Sequence, residues 1–156
     1  NLKIALDTEY ANQYNAGGDN ALIDGILGTE DFRTGTWQGY WNEDVIATVD
    51  LGSVKSMNAI DMNFLQDQKS WIFLPTEVEL LISKDGESFT SIYKKEFDAT
   101  IPIENPEIVS FGFAFKSKKF RYAKVVAKKL GELPEWHLGH AHDGRSWIFI
   151  DEIEIK

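Results

Sequence analysis

Oxygen-bearing side chains stand together near both ends of the chain. Asp24 and Gly25 form a predicted turn with Thr29 shortly after it, and Asp151 and Glu152 are adjacent near the C-terminus. A hard cation such as Ca²⁺ takes about six to eight oxygen ligands, several of which a tight turn can supply as backbone carbonyls. Gly25 would let the chain bend around the ion. These residues are candidate calcium ligands, but taken alone they favour the simpler interpretation, in which Asp24 only shapes its turn and Glu152 is a solvated strand residue.

A second group of residues combines aromatic rings with planar polar side chains in three long segments, 29–44, 64–75 and 130–146. A sugar offers an apolar C–H face that stacks on a flat ring, and a rim of hydroxyls that amide, carboxylate, imidazole and guanidinium groups bind. Long loops on a sheet scaffold commonly carry binding sites. The side chains in these segments that could make such contacts are Gln38, Tyr40, Gln66, Asp67, Trp71, Trp136, His137 and Arg145.

The aromatic residues of these segments could equally belong to the core. Trp136 follows a proline and a glutamate in a polar stretch and is the strongest candidate for stacking on a sugar, whereas Trp147 begins an apolar strand and is predicted to be buried. His137, His140 and His142 could bind zinc in principle. Their spacing matches no helical or finger motif, so we do not predict a zinc site.

The elements that would position these residues are predicted to be β-strands. Apolar residues alternate, or form short runs, in segments 45–51, 57–64, 77–83, 89–93, 107–115, 120–127 and 147–155. Asp85 and Gly86 predict a tight turn between two of these strands. No segment has a sustained helical period, and residues 20–28 predict only a short turn. The pattern predicts an antiparallel sandwich or barrel, as a single domain over residues 1–156.

The composition narrows the possible partners. The 156 residues carry a net charge of −9, which disfavours nucleic acid and anionic membranes as partners. The absence of cysteine excludes disulfides and thiolate metal sites. No nucleophile-elbow, phosphate-loop or zinc-protease motif occurs, so we predict that the chain is not an enzyme.

Five short motifs occur in an order typical of one family. They are Ala21 to Gly25, a strand ending Val-Asp-Leu-Gly at 49–52, Ser83 to Gly86, Arg121-Tyr122, and Phe149 to Ile153. Together they resemble the coagulation factor V/VIII type C, or discoidin, domain, and within it the family 32 carbohydrate-binding modules. The stretches at 37–40 and 147–152 are similar to modules appended to the β-N-acetylhexosaminidases (chitobiase-like enzymes) of Bacteroides-type bacteria.

The resemblance implies an eight-stranded jelly-roll β-sandwich excised from a larger glycosidase. It implies a monomeric, non-catalytic module that targets a covalently linked catalytic domain to terminal GlcNAc, GalNAc or galactose-type glycans. Its location would be extracellular, at the cell surface or periplasmic in a bacterium. The alternative that the resemblance leaves open is an adhesion module that binds protein or lipid.

The resemblance also implies a specific set of oxygen ligands for a structural calcium ion. The set consists of the carbonyls of Ala21, Ile26 and Asp151 and the side chains of Asp24, Thr29 and Glu152. One departure concerns the sugar site, because relatives that bind galactose-type sugars usually have an arginine in the loop that corresponds to residues 64–71. This chain has none there, which puts a galactose preference in doubt.

Overall fold

The computed structural model describes residues 1–156 and contains seven β-strands, joined by loops and short 3-10 helices. The strands are β1 (Lys3–Leu6), β2 (Gln38–Trp41), β3 (Val45–Gln66), β4 (Glu77–Ser83), β5 (Thr90–Glu96), β6 (Glu107–Lys128) and β7 (Trp147–Ile155). Every strand pairing is antiparallel, in the order β2-β7-β3-β6-β4-β5, with β1 added beside β3. No helix has the length and hydrophobicity needed to cross a bilayer.

The two longest strands connect both sheets of the sandwich. The first half of β3 pairs with β1 and β6, whereas its second half pairs with β6 and β7. The β3–β6 register shifts between Asp50 and Lys55 and again between Met57 and Ala59, where both strands turn the corner. Bulges of this kind bend and twist a strand. The all-β class and the jelly-roll sandwich are thus confirmed, with seven continuous strands because β3 and β6 each run through a corner.

Alternating residues of the strands fill one main core between the sheets. Val45, Ala47 and Val49 of β3 have no exposed surface, and they belong to the same core cluster as buried residues such as Phe120 and Val125 of β6. A smaller apolar cluster lies under one end of the sandwich and consists of Trp37, Leu65, Ile72 and Phe149. Trp37 therefore belongs to the interior, and its indole N–H donates to the carbonyl of Thr29 over 2.6 Å.

The strand directions define two ends of the molecule. At one end, which we call the tip, Gln66 of β3 pairs with Glu107 of β6, and Trp41 of β2 pairs with Trp147 of β7. The loops 67–76, 97–106 and 129–146 all emerge there. The opposite end, which we call the base, holds the corners of β3 and β6, the β4–β5 turn at 84–89 and both chain termini.

An ion pair near the base should make stability sensitive to acid. The Arg121 guanidinium donates to both carboxylate oxygens of Asp50, over 2.8 and 3.0 Å, and these hydrogen bonds lower the pKa of Asp50 to about 2. A carboxyl whose pKa is lowered on folding stabilises the fold above its unfolded pKa, and this stabilisation is lost as pH falls towards the folded value. We expect Asp50→Asn to lower the free energy of unfolding, measured with urea, by about 1 kcal/mol at pH 7 and by less at pH 2.

Asp7→Asn is the matched control, because Asp7 is exposed and its side chain makes no ion pair. It should change the free energy of unfolding by less than about 0.5 kcal/mol at either pH. A cost for Asp50→Asn that stays the same from pH 7 to pH 2 would contradict the assignment of the stabilisation to the charged pair.

Candidate functional site

Three tryptophans gather at the tip. The rings of Trp41 and Trp71 lie nearly parallel with centroids 6.3 Å apart, and Trp41 also lies 5.2 Å from Trp147. Trp41 ends β2, Trp147 begins β7, and Trp71 follows a 3-10 turn at Gln68–Ser70. Since β2 and β7 are paired in register here, the sheet itself fixes the position of two of the three rings.

Trp71 is held in a constrained position. Its φ is 66°, in the left-handed region that is costly for a residue with a large side chain. Its ring packs against the backbone at Gly139 and Gly144, where an added Cβ would approach ring carbons to 2.9 and 3.0 Å. The two glycines therefore let the loop 130–146 close onto the indole, and they fix the orientation of the ring.

The half-exposed Trp71 ring separates two depressions in the tip surface. The first, which we call the tip cleft, has a volume of about 400 Å³ and is lined by Gln68, Lys69, Trp71, Pro102, Ile103, Glu104, Trp136, His137 and Leu138. The second, which we call the aromatic recess, has a volume of about 340 Å³ and is lined by Tyr14, Phe32, Lys69, Ser70, Trp71, Ile72, Trp147 and Phe149. Lys69 and Trp71 border both, so the two depressions are contiguous.

Gln68 fixes one wall of the tip cleft. Its side chain is buried, donates to the carbonyl of Ile101 over 2.8 Å, and accepts from the backbone N–H of Ile103 over 2.7 Å. These two bonds hold the loop 97–106 against the loop 67–76. The indole N–H of Trp136 donates to the carbonyl of Thr100 over 3.1 Å, which joins the third loop to the same wall.

His137 also has a structural role at the cleft. Its Nδ1 accepts from the backbone N–H of Gly139 over 2.9 Å, so the ring proton of the neutral form is on Nε2. Nε2 then donates to the carbonyl of Gln68 over 2.6 Å. His140 is held separately, with Nδ1 2.7 Å from the carbonyl of Leu133. His137 and His140 thus join backbone segments, and no group of three histidine or acidic side chains is placed to hold a metal.

The structure brings only part of the predicted sugar-binding set together. Trp71, Trp136 and His137 line the tip cleft, and Trp136 is 45% exposed. Asp67 is half-buried at the start of the loop that carries Trp71, and Arg145 is exposed at the tip, where its backbone pairs with Glu132. The sequence-based prediction missed Lys69, Leu138 and the whole wall at Pro102–Glu104.

Three predicted sugar contacts are wrong, because the side chains lie in the interior. Gln38 has no exposed surface, donates to the carbonyls of Asn15 and Gly18 over 3.1 and 3.0 Å, and accepts from the Tyr40 hydroxyl over 2.7 Å. Burial raises the pKa of the Tyr40 hydroxyl. Gln66 is only 4% exposed. Gln38 and Tyr40 instead anchor the segment before β2 to the sheet.

The predicted calcium ligands lie where the loop 24–29 meets the middle of β7. β7 bulges opposite Asn63, because Met62 pairs with Ile153 but Phe64 pairs with Ile150. The bulge presents the Asp151 carboxylate to backbone N–H groups, and it accepts from Gly28 over 2.9 Å and from Asn63 over 3.2 Å. The Asp151 side chain therefore joins the loop to the sheet.

Glu152 is the feature of this region that fits a cation. Its Oε2 accepts from the backbone N–H of Gly25, whereas its Oε1 is buried without any hydrogen-bond partner. Burial, together with the charges of Asp24 and Asp151, raises the pKa of Glu152 to about 7 against the opposing effect of the Gly25 bond. A buried carboxylate oxygen without a partner is costly unless a positive group satisfies it.

The side chains of Asp24 and Thr29 make hydrogen bonds within their own loop. Asp24 accepts from the N–H of Ile26 over 2.8 Å, which closes a tight turn at Gly25, whose φ is 81°. The Thr29 hydroxyl interacts with the carbonyl of Asp31 and the hydroxyl of Thr34, both over 3.2 Å. The side chains present would hold a hard cation only with help from backbone carbonyls, as Ala21 and Ile26 would supply in the implied set.

Residues 6–153 match the model of the F5/8 type C domain family, and the chain belongs to this family. No curated protein sequence matches it. Among solved structures, it is similar to a family 32 carbohydrate-binding module of Clostridium perfringens in complex with GalNAc-β-1,3-galactose (TM-score 0.63, 20% identity, 99% of this chain and 94% of the other covered).

Two further solved structures have the same fold. One is the family 32 module of Clostridium perfringens NanJ in complex with galactose (TM-score 0.61, 15% identity, 99% and 92% covered). The other is the C-terminal domain of a Bacteroides fragilis chitobiase (TM-score 0.55, 18% identity, 99% and 92% covered). At these identities the likeness establishes the jelly-roll sandwich.

Proposed function

We propose that this domain is a non-catalytic carbohydrate-binding module that binds glycans at its tip. The observation that carries the proposal is the pair of contiguous depressions bordered by Trp71 and Lys69. Each combines indole or phenyl rings with a few polar groups, which is the mixture that a sugar requires. The rings are held by backbone contacts and hydrogen bonds, so binding would cost little side-chain entropy.

The class of glycan follows from the relatives rather than from the site. Two similar modules were solved with galactose and with a disaccharide of GalNAc and galactose, which supports GalNAc or galactose-type ligands for this domain. We include terminal GlcNAc in the proposal as a sugar of the same type. The loop 64–71 carries Lys69 as its only cation. A lysine gives a single point charge in place of the planar fork of an arginine, so we propose a broader specificity than strict galactose recognition.

We further propose that the domain targets a linked glycoside hydrolase of the β-N-acetylhexosaminidase type, outside the cytoplasm of a bacterium and as a monomer. The similarity to a chitobiase C-terminal domain supports this role. Both termini lie at the base, so a partner joined at either end would leave the tip facing the glycan. Tethering would raise the effective concentration of enzyme at its substrate even if each site binds weakly.

We also propose that Glu152 helps to hold a structural calcium ion between the loop 24–29 and β7. The support is the buried Oε1 without a partner and the nearby charges of Asp24 and Asp151. Bound Ca²⁺ would neutralise this carboxylate cluster and join the loop to the sheet.

Removing the exposed stacking ring is expected to weaken glycan binding. Trp136→Ala should lower the affinity for the best ligand of a glycan array by about tenfold or more, since a lost aromatic–sugar contact of about 1.4 kcal/mol has this effect. The fold should be retained, because Trp136 is 45% exposed and makes one hydrogen bond to Thr100. Isothermal titration calorimetry measures the change.

Leu2→Ala is the control for the loss of an exposed apolar side chain, because Leu2 is 46% exposed and lies at the base. It should leave the affinity unchanged. A wild-type protein that binds no glycan on the array, yet binds phospholipid vesicles, would overturn the proposed function in favour of an adhesion role.

A further inference from the structure

The base carries a groove far from the tip, which we call the base groove. It lies between the β4–β5 turn and the corner of β6 and has a volume of about 380 Å³. Its lining includes Lys84 and Asp85 of the β4–β5 turn and Lys118 and Lys119 of the β6 corner. None of these residues belongs to the tip cleft, to the aromatic recess or to the region around Glu152.

The base groove is basic although the whole chain is acidic. Lys84, Lys118 and Lys119 are all exposed, and Lys55 stands beside them because it pairs with Phe120 across the corner. None of these four lysines takes part in an ion pair. Lysines without ion-pair partners at one end of a protein produce a positive local potential that attracts anions. This potential is not apparent from the overall net charge of −9.

The acidic residues around the groove do not cancel this charge. Asp85 lines the groove, but its Oδ1 accepts from the Ser83 hydroxyl over 3.0 Å and from the N–H groups of Glu87 and Ser88 over 2.9 and 3.0 Å. Its carboxylate is thus directed into the turn. Glu87 is exposed on the same turn, outside the lining of the groove. The lining retains three lysines against one internally bonded carboxylate.

The shape of the groove suits a polymer chain better than a membrane. Ile82 and Ile92, both half-buried, give it an apolar surface on which the C–H face of a sugar ring can pack, with the buried Phe120 beneath them. Ser88 and Thr90 place hydroxyl groups in the same lining. A bilayer is bound by apolar side chains that project into it, whereas a concave groove with cationic walls encloses a charged chain.

We propose that the base groove binds an anionic polysaccharide, with Lys84, Lys118 and Lys119 contacting its sulfate or carboxylate groups. This site is independent of the proposed glycan site at the tip, and it would let one domain bind two polymers at opposite ends. The salt dependence of binding should reflect the number of lysines that displace counterions from the polymer.

The test is retention of the full chain on three immobilised polymers at about 50 mM salt, a concentration at which screening of surface charges is weak. Heparin offers sulfates and carboxylates, polygalacturonate offers carboxylates alone, and dextran is neutral. We expect retention by heparin, by polygalacturonate or by both, and none by dextran. The variant with Lys84→Gln, Lys118→Gln and Lys119→Gln should pass through unretained. In each single Lys→Gln variant, the slope of log affinity against log salt should fall by roughly one.

A matched variant removes three lysines elsewhere. Lys94 and Lys128 are paired with Glu79 and Glu77, and Lys95 lies over the ring of Phe97. Lys94→Gln, Lys95→Gln and Lys128→Gln together give the same net charge and should preserve retention, as should Trp136→Ala at the tip. The proposal is overturned if the wild type is not retained by either acidic polymer, if both triple variants lose retention equally, or if only vesicles of anionic phospholipid bind.

Discussion

Glu152→Gln is expected to abolish the response of this domain to calcium. In the wild type, Ca²⁺ at about 100 times its dissociation constant would raise the free energy of unfolding by about 2.7 kcal/mol. For a chain of this length, this change raises the melting temperature by roughly 5–10 °C. The variant replaces the carboxylate whose Oε1 lacks a partner with a neutral amide. Differential scanning calorimetry of each protein, with Ca²⁺ and with a chelator, measures both melting temperatures.

The metal-free protein should also respond to pH in a defined direction. Folding raises the pKa of Glu152 from its ordinary value of 4.5 to about 7, so the folded state holds its proton more tightly than the unfolded state. Stability of the wild type without calcium should therefore fall as pH rises from about 4.5 to 7, and Glu152→Gln should remove this dependence.

Asp98→Asn provides the comparison, because Asp98 is exposed and lies in the loop after β5. It should keep the full calcium response. An unchanged melting temperature of the wild type after chelation would refute the calcium proposal, whereas the pH dependence would then stand by itself as a property of a buried carboxyl.

Gln68→Leu should release one wall of the tip cleft, the loop 97–106. The substitution removes the bonds to Ile101 and Ile103 and leaves the buried side of this contact without its carbonyl and N–H pairing. We expect a loss of about 2–4 kcal/mol in the free energy of unfolding. Faster hydrogen exchange should be confined to the loop 97–106, and glycan affinity should fall because one wall of the cleft is released.

Gln13→Leu makes the same chemical change at an exposed position in the 3-10 turn Asn12–Tyr14. It should alter the free energy of unfolding by less than about 0.5 kcal/mol. Equal destabilisation by both variants would show that Gln68 does not hold the wall, and unchanged exchange in the loop 97–106 would lead to the same conclusion.

The strand periodicity predicted most of the fold, because residues that alternate between core and solvent leave a clear pattern. It missed β1 and β2, which are only four residues long. β2 is also nearly all buried, since Gln38, Gly39 and Tyr40 lie inside, so no alternation marks it. Gly39 is required there because an added Cβ would come within 2.7 Å of the Phe149 ring.

The candidate site was less predictable than the fold. Trp136 could be assigned to the surface from its polar neighbours, whereas Gln38 looked polar and therefore exposed. Its side chain is buried because it binds the carbonyls of Asn15 and Gly18, which lie 23 and 20 residues earlier in the chain. Partners so distant in sequence leave no signal in the residues next to Gln38. The wall at Pro102–Glu104 is positioned by Gln68 in the same way, through bonds that sequence spacing does not reveal.

The placement of both termini at the base has a mechanical consequence. If the tip is held by a ligand and the C-terminus is pulled, the force acts along β7, which lies between β2 and β3 in the sheet. Hydrogen bonds in antiparallel sheets lie perpendicular to the strands, so such a force shears several of them at once rather than opening them one after another. The geometry therefore favours a domain that resists extension when it is pulled from its C-terminus.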